Sequence, residues 1–301
     1  MDSRRIEPQM DVLAVIPSIG GPDFGSVIDL QYKLQSIERI SCVVVSNSHK
    51  LTKILNEQSV PFITDERNGG FGRSIGIGAS TRDDWRWLLI VNDDISITAE
   101  FFSDAIEQYL SQNAEPLEIV YFDEDKPRSV PARLDVFLQV SLLGKIFSKL
   151  RKSPDKAGLS YRSFSCVAIS RDLYDLCQGF DEELLFTYED ADFVTRASQL
   201  GAVQRVAHAS GVRHYHSVSS GKHVDTVLPV ATYSAARYLD KIGGGTLSTS
   251  AIVLMALIVR LLFVPATRAA KWKHVRGIGR SAVSVLRRSS VRPDLPAYDT
   301  L

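Results

Sequence analysis

The chain has 301 residues, 45% apolar and 23% charged, with 35 Lys and Arg against 35 Asp and Glu. That length allows one large domain or two small ones with a substantial core, and the composition excludes wholesale disorder. The zero net charge hides an asymmetry: from Arg260 onward nine Lys and Arg face only Asp294 and Asp299, a tail of +7 on a body of −7. Such a tail suits an anionic surface. Cys42, Cys166 and Cys177 are scattered and form no C-x-x-C pattern, which argues against a disulfide framework or a structural zinc site and for a reducing cytosol. The opening MDSRRIEPQM has no apolar h-region, so no secretory signal is expected and the chain is read as cytoplasmic.

In chain order, VLAVIPS (12–18) predicts a first strand, followed by the turn IGGPDFG and a helix around 27–37. ISCVVVSNS (40–48) predicts a second strand and 51–58 a second helix. PFIT (61–64) is a short third strand, and ERNGGFGRSIGIGAS (66–80) follows as a Gly-rich segment. WLLIV (87–91) is the fourth strand, ending in Asn92-Asp93-Asp94. Unbroken apolar runs separated by helical stretches predict strands covered on both faces of a parallel sheet, whose carboxyl edge is where ligands bind. Further on, 101–112 reads as a helix, LEIVYF (117–122) and SCVAIS (165–170) as strands, and VSLLGKIFSKLRK (140–152) as a basic amphipathic piece. Phe193, Val194, Ala197 and Leu200 recur at helical spacing, and a last strand falls at 203–207. Residues 251–264, AIVLMALIVRLLFV, are too short for a bilayer span, for which about 20 apolar residues are needed. The adjacent basic tail favours a helix lying in a membrane interface over a buried helix from which Arg260 snorkels.

Four places could carry chemistry. Asn68-Gly69-Gly70-Phe71-Gly72 could bring backbone N–H groups close to a diphosphate, although most Gly-rich turns are only turns. Asp93 and Asp94, ending a buried strand, could hold a hard cation or simply cap a turn. Glu189 and Asp190 could supply a general base or merely complement a helix dipole. His214 and His216 would share one side of a strand and could meet a metal or phosphate.

The order of these pieces resembles that of family 2 glycosyltransferases with the GT-A fold, in particular the bacterial rhamnosyltransferase-like branch. VLAVIPS, VVVSNS, ERNGGFG, LLIVNDD, GFDEELLFTYEDADFVTRASQLGA and VRHYHSVSS run in the family's order over about residues 11–220. The G-F-D-E…Y-E-D-x-D-x-x-x-R piece at 179–196 is the most specific of them. The resemblance implies an α/β GT-A domain over 1–240, Rossmann-like with a mostly parallel sheet and helices on both faces. It also implies a C-terminal helical, membrane-associating extension over 241–301. Asp94 matches the acid that holds Mg²⁺ or Mn²⁺, His214 the later histidine of that site with His216 as fallback, and Asp190 the general base. Pro17, Ser18, Asn47, Asn68, Gly70 and Asp93 fall where the family binds the sugar nucleotide, and Arg196 matches a residue that holds the helix. Three positions depart from the family pattern: Ser46 and Asn92 in place of acids, and Gly76 in place of Asn.

The implied reaction is inverting transfer of a rhamnosyl or other hexosyl group from a nucleoside-diphosphate sugar. The acceptor expected is a polyprenyl-diphosphate-linked saccharide or polysaccharide of the cell envelope, met at the cytoplasmic side of the membrane by a peripheral protein. No nucleic-acid partner is expected. A nucleotidyltransferase on a related sheet and a non-catalytic membrane-associated scaffold are the rival readings.

Overall fold

The computed structural model describes residues 12–20, 23–110, 116–123, 125–144, 159–208, 210–215, 224–262, 271–288, 290, 292–297 and 299. The first half alternates strand and helix: β1 Val12–Ser18, α1 Phe24–Gln35, β2 Ile40–Ser46, α2 His49–Glu57, β3 Phe62–Ile63 and α3 Phe71–Ala79. It continues with β4 Trp87–Val91, β5 Ile95–Ile97, α4 Ala99–Leu110, β6 Glu118–Tyr121, β7 Arg128–Ser129 and α5 Arg133–Val140. Then come β8 Ser160–Tyr161, β9 Cys166–Ser170, α6 Arg171–Leu176, α7 Glu189–Gln199, β10 Val203–Val206 and β11 Val212–His214. The chain closes with α8 Val224–Lys241, α9 Thr246–Leu262 and α10 Lys271–Leu286.

Among the described residues the central sheet has seven strands in the order β10-β6-β9-β4-β1-β2-β3. The apolar runs explain it: Leu13, Val15, Leu88 and Ile90 feed one core layer, while Val12, Ala14, Ile16, Trp87, Leu89 and Val91 feed the other. Alternating side chains buried on both faces are what a sheet sandwiched by helices needs. The fold is therefore α/β with a mostly parallel sheet, as expected. Parallel pairing is broken at β9, which runs antiparallel to both β4 and β6.

Within the Gly-rich segment, residues 71–79 form a helix that its composition did not announce. Gly70 starts it at φ +83°, a region glycine enters freely. A side chain at Gly78 would place its Cβ 2.4 Å from Val15 Cγ1, so the missing Cβ lets α3 lie directly on β1.

The C-terminal helices belong to the same core as the sheet. Val253, Ala256 and Leu257 of α9 and Ile278 and Val285 of α10 join the layer that contains Leu13 and Leu88. Arg260 sits partly inside this packing, donating from Nη1 to the Val140 carbonyl at 2.9 Å, and burial lowers its pKa. The outer side of α9 and α10 carries exposed apolar side chains, with Leu247 88%, Leu262 74% and Trp272 81% exposed. Residues 251–262 put one face in the core, as the buried-helix reading expected, and the other in solvent, while 263 and 264 lie outside the described residues. Among the described residues no helix is long and apolar enough to cross a membrane. Of the basic piece at 140–152, residues 145–152 lie outside the described residues.

Candidate active site at the carboxyl edge of the sheet

Strand order brings the polar strand ends to one edge. Ser18 ends β1, Asn47 follows β2, Asn92-Asp93-Asp94 follow β4, and Phe122-Asp123 follow β6. Antiparallel β9 starts at this edge too, so Ser165 lies between the last two groups, donating from Oγ to Asp123 Oδ2 at 2.6 Å. Its carbonyl takes the N–H of Asn92 at 2.7 Å.

The predicted donor residues are drawn into two neighbouring groups. Ser18 Oγ donates to Asp93 Oδ2 at 2.7 Å and accepts the Gly20 N–H at 2.9 Å. The Asn47 N–H donates to the Ser18 carbonyl at 2.8 Å, which locks the ends of β1 and β2 together. Asn47 itself is buried, and its side-chain amide donates to Ser74 Oγ at 2.8 Å. Ser74 Oγ in turn reaches the Gly70 carbonyl at 2.7 Å. The side chain of Asn47 thus shapes the Gly70 turn from within. The Gly70 N–H donates to Asn68 Oδ1 at 3.3 Å, and Asn68 Nδ2 donates to the carbonyl of Pro296 at 3.1 Å. Pro17 stands in β1 opposite Val45, as part of the strand.

Asp94 and His214 are brought together by the two-stranded β5–β11 ribbon, where His214 pairs with Ile95 and the Tyr215 N–H donates to the Asp94 carbonyl at 3.0 Å. Nε2 of His214 lies 3.2 Å from Asp94 Oδ1, and Nδ1 lies 3.1 Å from Asp123 Oδ2 and 3.4 Å from Asp125 Oδ2. The imidazole is thus ringed by three carboxylates. Burial opposes its charge, but hydrogen bonds to Asp123 and Asp94 and the charges of both acids prevail, raising its pKa to about 10. Burial likewise opposes the charge on Asp123, and the bonds from His214 and Ser165 overcome it, holding its pKa below the usual range.

Asp123, Asp125 and His214 can each offer one ligand atom, and these atoms lie within 4.8 Å of one another. Carboxylate oxygens with one imidazole fit Mg²⁺ or Mn²⁺, which favour oxygen donors and tolerate nitrogen. The sequence reading missed Asp123 and Asp125. Their signal was present: an apolar strand, 117–122, ends in D-E-D just as 87–91 ends in N-D-D.

Glu189 and Asp190 open α7 after two consecutive non-glycine residues at positive φ, Thr187 at +76° and Tyr188 at +71°. Such geometry persists only where packing enforces it. Here the Tyr188 ring stacks on Tyr238 with centroids 4.9 Å apart, and its hydroxyl donates to Gln139 Oε1 at 2.8 Å. Both residues are half-buried as wholes, but Glu189 Oε2 is shut away from solvent, and burial raises both carboxyls. Asp190 moves upward against the hydrogen bond from the Ala191 N–H and the charge of Arg128. Glu189, pushed by burial and by Asp190, rises to about 8. The Asp190 charge is felt by Tyr121, the last residue of β6, and by Tyr161. Arg196 donates from Nε to Asp192 at 2.9 Å and from Nη1 to the Gly179 carbonyl at 2.9 Å, pinning α7 to the turn before it. His216 lies outside the described residues.

No protein-family model and no curated protein matches the chain. Among solved structures it is similar to a mannosyltransferase from Pyrobaculum calidifontis in complex with GDP-Man and Mn²⁺, at 11% identity and a TM-score of 0.49 over 95% of this chain and 91% of that one. It is similar to S. aureus TarS 1–349 at 14% identity and a TM-score of 0.45, over 93% and 91% of the two chains. Glucosyl-3-phosphoglycerate synthase from Mycobacterium tuberculosis in complex with UDP matches at 14% identity and a TM-score of 0.45, over 78% and 81%. At such identities and TM-scores, activity has to rest on the residues themselves.

Proposed function

We propose that the chain is a GT-A glycosyltransferase that moves a sugar from a nucleoside-diphosphate donor with inversion. The observation that supports it most is the ring of Asp94, Asp123 and Asp125 around His214 at the carboxyl edge of the sheet. This edge is where open α/β sheets bind ligands, and the ring offers donors for a divalent cation. Asp94, Asp123, Asp125 and His214 would hold Mg²⁺ or Mn²⁺, which supplies charge neutralisation to the departing nucleoside diphosphate.

The chain's own groups do the rest. Asp93, held by Ser18, orients toward the sugar or ribose, and Asn68 with Gly70 lines the donor path. Asp190 accepts the proton of an acceptor hydroxyl as that oxygen bonds to the anomeric carbon and the carbon–diphosphate oxygen bond breaks. A carboxylate whose pKa is raised toward neutrality is a better base than an ordinary one. The donor is a rhamnosyl or other hexosyl nucleotide. The acceptor is a polyprenyl-diphosphate-linked saccharide or polysaccharide at the cytoplasmic face of the membrane.

Exposed Leu247, Ile258, Leu262 and Trp272, beside exposed Lys271, Lys273 and Arg276, support peripheral contact with an anionic bilayer. Deleting 246–301 would also strip Val253, Leu257 and Val285 from the core, so the cleaner test is Lys271, Lys273 and Arg276 changed together to Gln. Unaltered sedimentation of that variant with anionic vesicles would remove the membrane role. For the reaction, UDP-, GDP- and dTDP-sugars are screened with and without Mn²⁺. Release of a nucleoside diphosphate is expected, whereas release of pyrophosphate would identify a nucleotidyltransferase, and no binding at all a scaffold.

A further inference from the structure

The last described segment, 292–297, folds back across the Gly70 turn, and its contacts are specific. Asn68 Nδ2 donates to the Pro296 carbonyl at 3.1 Å. Leu295 packs with Leu185, Val230 and Tyr233. Arg292 donates from Nη2 to the Glu182 carbonyl at 2.9 Å and approaches the Glu183 carboxylate at 3.6 Å. Just upstream, Arg288 is buried, with Nε and Nη2 donating to the two carboxylate oxygens of Asp240 at 2.9 and 3.1 Å. Arg288 thus gives the chain a fixed post shortly before the segment, and Pro293 and Pro296 restrict the backbone within it.

We propose that residues 292–296 are an autoinhibitory latch that competes with the sugar-nucleotide donor for the Asn68–Gly70 turn. The proposal rests on the reading of that turn as part of the donor site. Three observations support competition over cooperation. The side-chain amide of Asn68 is engaged at both ends, Oδ1 by Gly70 and Nδ2 by Pro296. A Cβ built on Gly70 would meet the Leu185 carbonyl oxygen at 2.7 Å and Leu295 Cδ1 at 3.2 Å, so Leu295 packs against the bare face of the turn. Asp294 lines the same cavity of about 260 Å³ as Arg67, Arg73 and Arg292. Those guanidiniums pair with Asp65, Glu182 and Glu183, and the Asp294 carboxylate in the same lining repels an incoming anion. Lifting the latch would free the Asn68 amide, the Gly70 face and the cavity together. Because the segment also touches Glu182 and Leu185 ahead of Asp190, its release would loosen the loop that carries the base.

The test compares the full chain with full-length Leu295→Ser, and with a chain ending at Ser290. Dissociation constants for UDP-, GDP- and dTDP-sugars are measured by calorimetry with Mn²⁺ present, and thermal melts report whether each variant is folded. The latch predicts that both variants bind the preferred donor about 10-fold more tightly than the full chain, a gain of about 1.4 kcal/mol. Unchanged affinity in folded variants would overturn the latch and leave the donor reading standing. Weaker affinity would show that the segment completes the donor pocket, which also overturns it. Absence of binding by all three chains would instead remove the donor reading, and the latch with it.

Discussion

Nε2 of His214 lies 3.2 Å from Oδ1 of Asp94, although 120 positions of sequence separate them. The contact exists because β11 returns antiparallel along β5, immediately after the acid pair. With no metal bound, the protonated histidine is the positive charge beside Asp94 and Asp123, while Asp93 is held by Ser18. With a metal bound it would exchange that proton for a ligand bond, as metal sites do. His214→Ala and Asp123→Asn should each weaken Mn²⁺ binding about 10- to 100-fold. Titration of Mn²⁺ by electron paramagnetic resonance checks this, and wild-type affinity in Asp123→Asn would remove that residue from the site.

The same cluster sets a pH dependence in the metal-free protein. The His214 pKa rises from the ordinary 6.5 to about 10 on folding, so its stabilisation is complete below 6.5. That contribution should fade as the pH climbs from 6.5 through about 10. Asp123, held below its ordinary range, adds stability above pH 3.8 that is lost as the pH falls through its depressed value. Between pH 6.5 and 10 the wild type should lose about 1–3 kcal/mol more than His214→Ala, read as a difference in urea midpoints with chelator present.

Asp190→Asn tests the base. The variant should lose about 10²- to 10⁴-fold in kcat while the donor KM changes little, because the amide cannot take a proton. The raised pKa of Asp190 places the acidic limb of the wild-type rate profile above the ordinary carboxylate range, with activity gained as the pH rises through it. Full activity in the folded variant would end the assignment.

Glu189 should respond in the same direction as His214, but over a lower pH window and because burial disfavours its charge. Its pKa is raised from 4.5 to about 8, so ionising it costs folding free energy, and stability declines as the pH rises from 4.5 through about 8. Glu189→Gln should remove that decline. Thermal melts at pH 5 and pH 9 measure it, and parallel losses in both proteins would contradict the assignment.

Gly78 offers a purely steric prediction. With Val15 fully buried, a Cβ 2.4 Å from its Cγ1 cannot be absorbed by a flexible side chain. Gly78→Ala should destabilise the fold by about 1–3 kcal/mol, measured by urea denaturation, despite the higher helix propensity of alanine.

How much of this was legible beforehand depended on the range of the forces involved. VLAVIPS and WLLIV were readable as doubly covered strands because burial on both faces demands an unbroken apolar run, a local property. Asp94 and Asp190 stood out because the pieces around them follow a recognisable order. The helix at 71–79 was hidden, since glycines 72, 76 and 78 lower its local propensity, and close packing on β1 outweighs that cost. Asp123 and Asp125 carried the right pattern, but nothing nearby in the chain states that β6 lies one strand from β4. That neighbourhood depends on β9 threading antiparallel between them, and on β11 returning His214 to the same edge. The local pattern of apolar residues, in short, was enough for the strands and their polar ends. Which ends meet is a matter of long-range pairing, and so is the return of 292–297 onto Asn68, because both depend on loop closures that residue spacing does not encode.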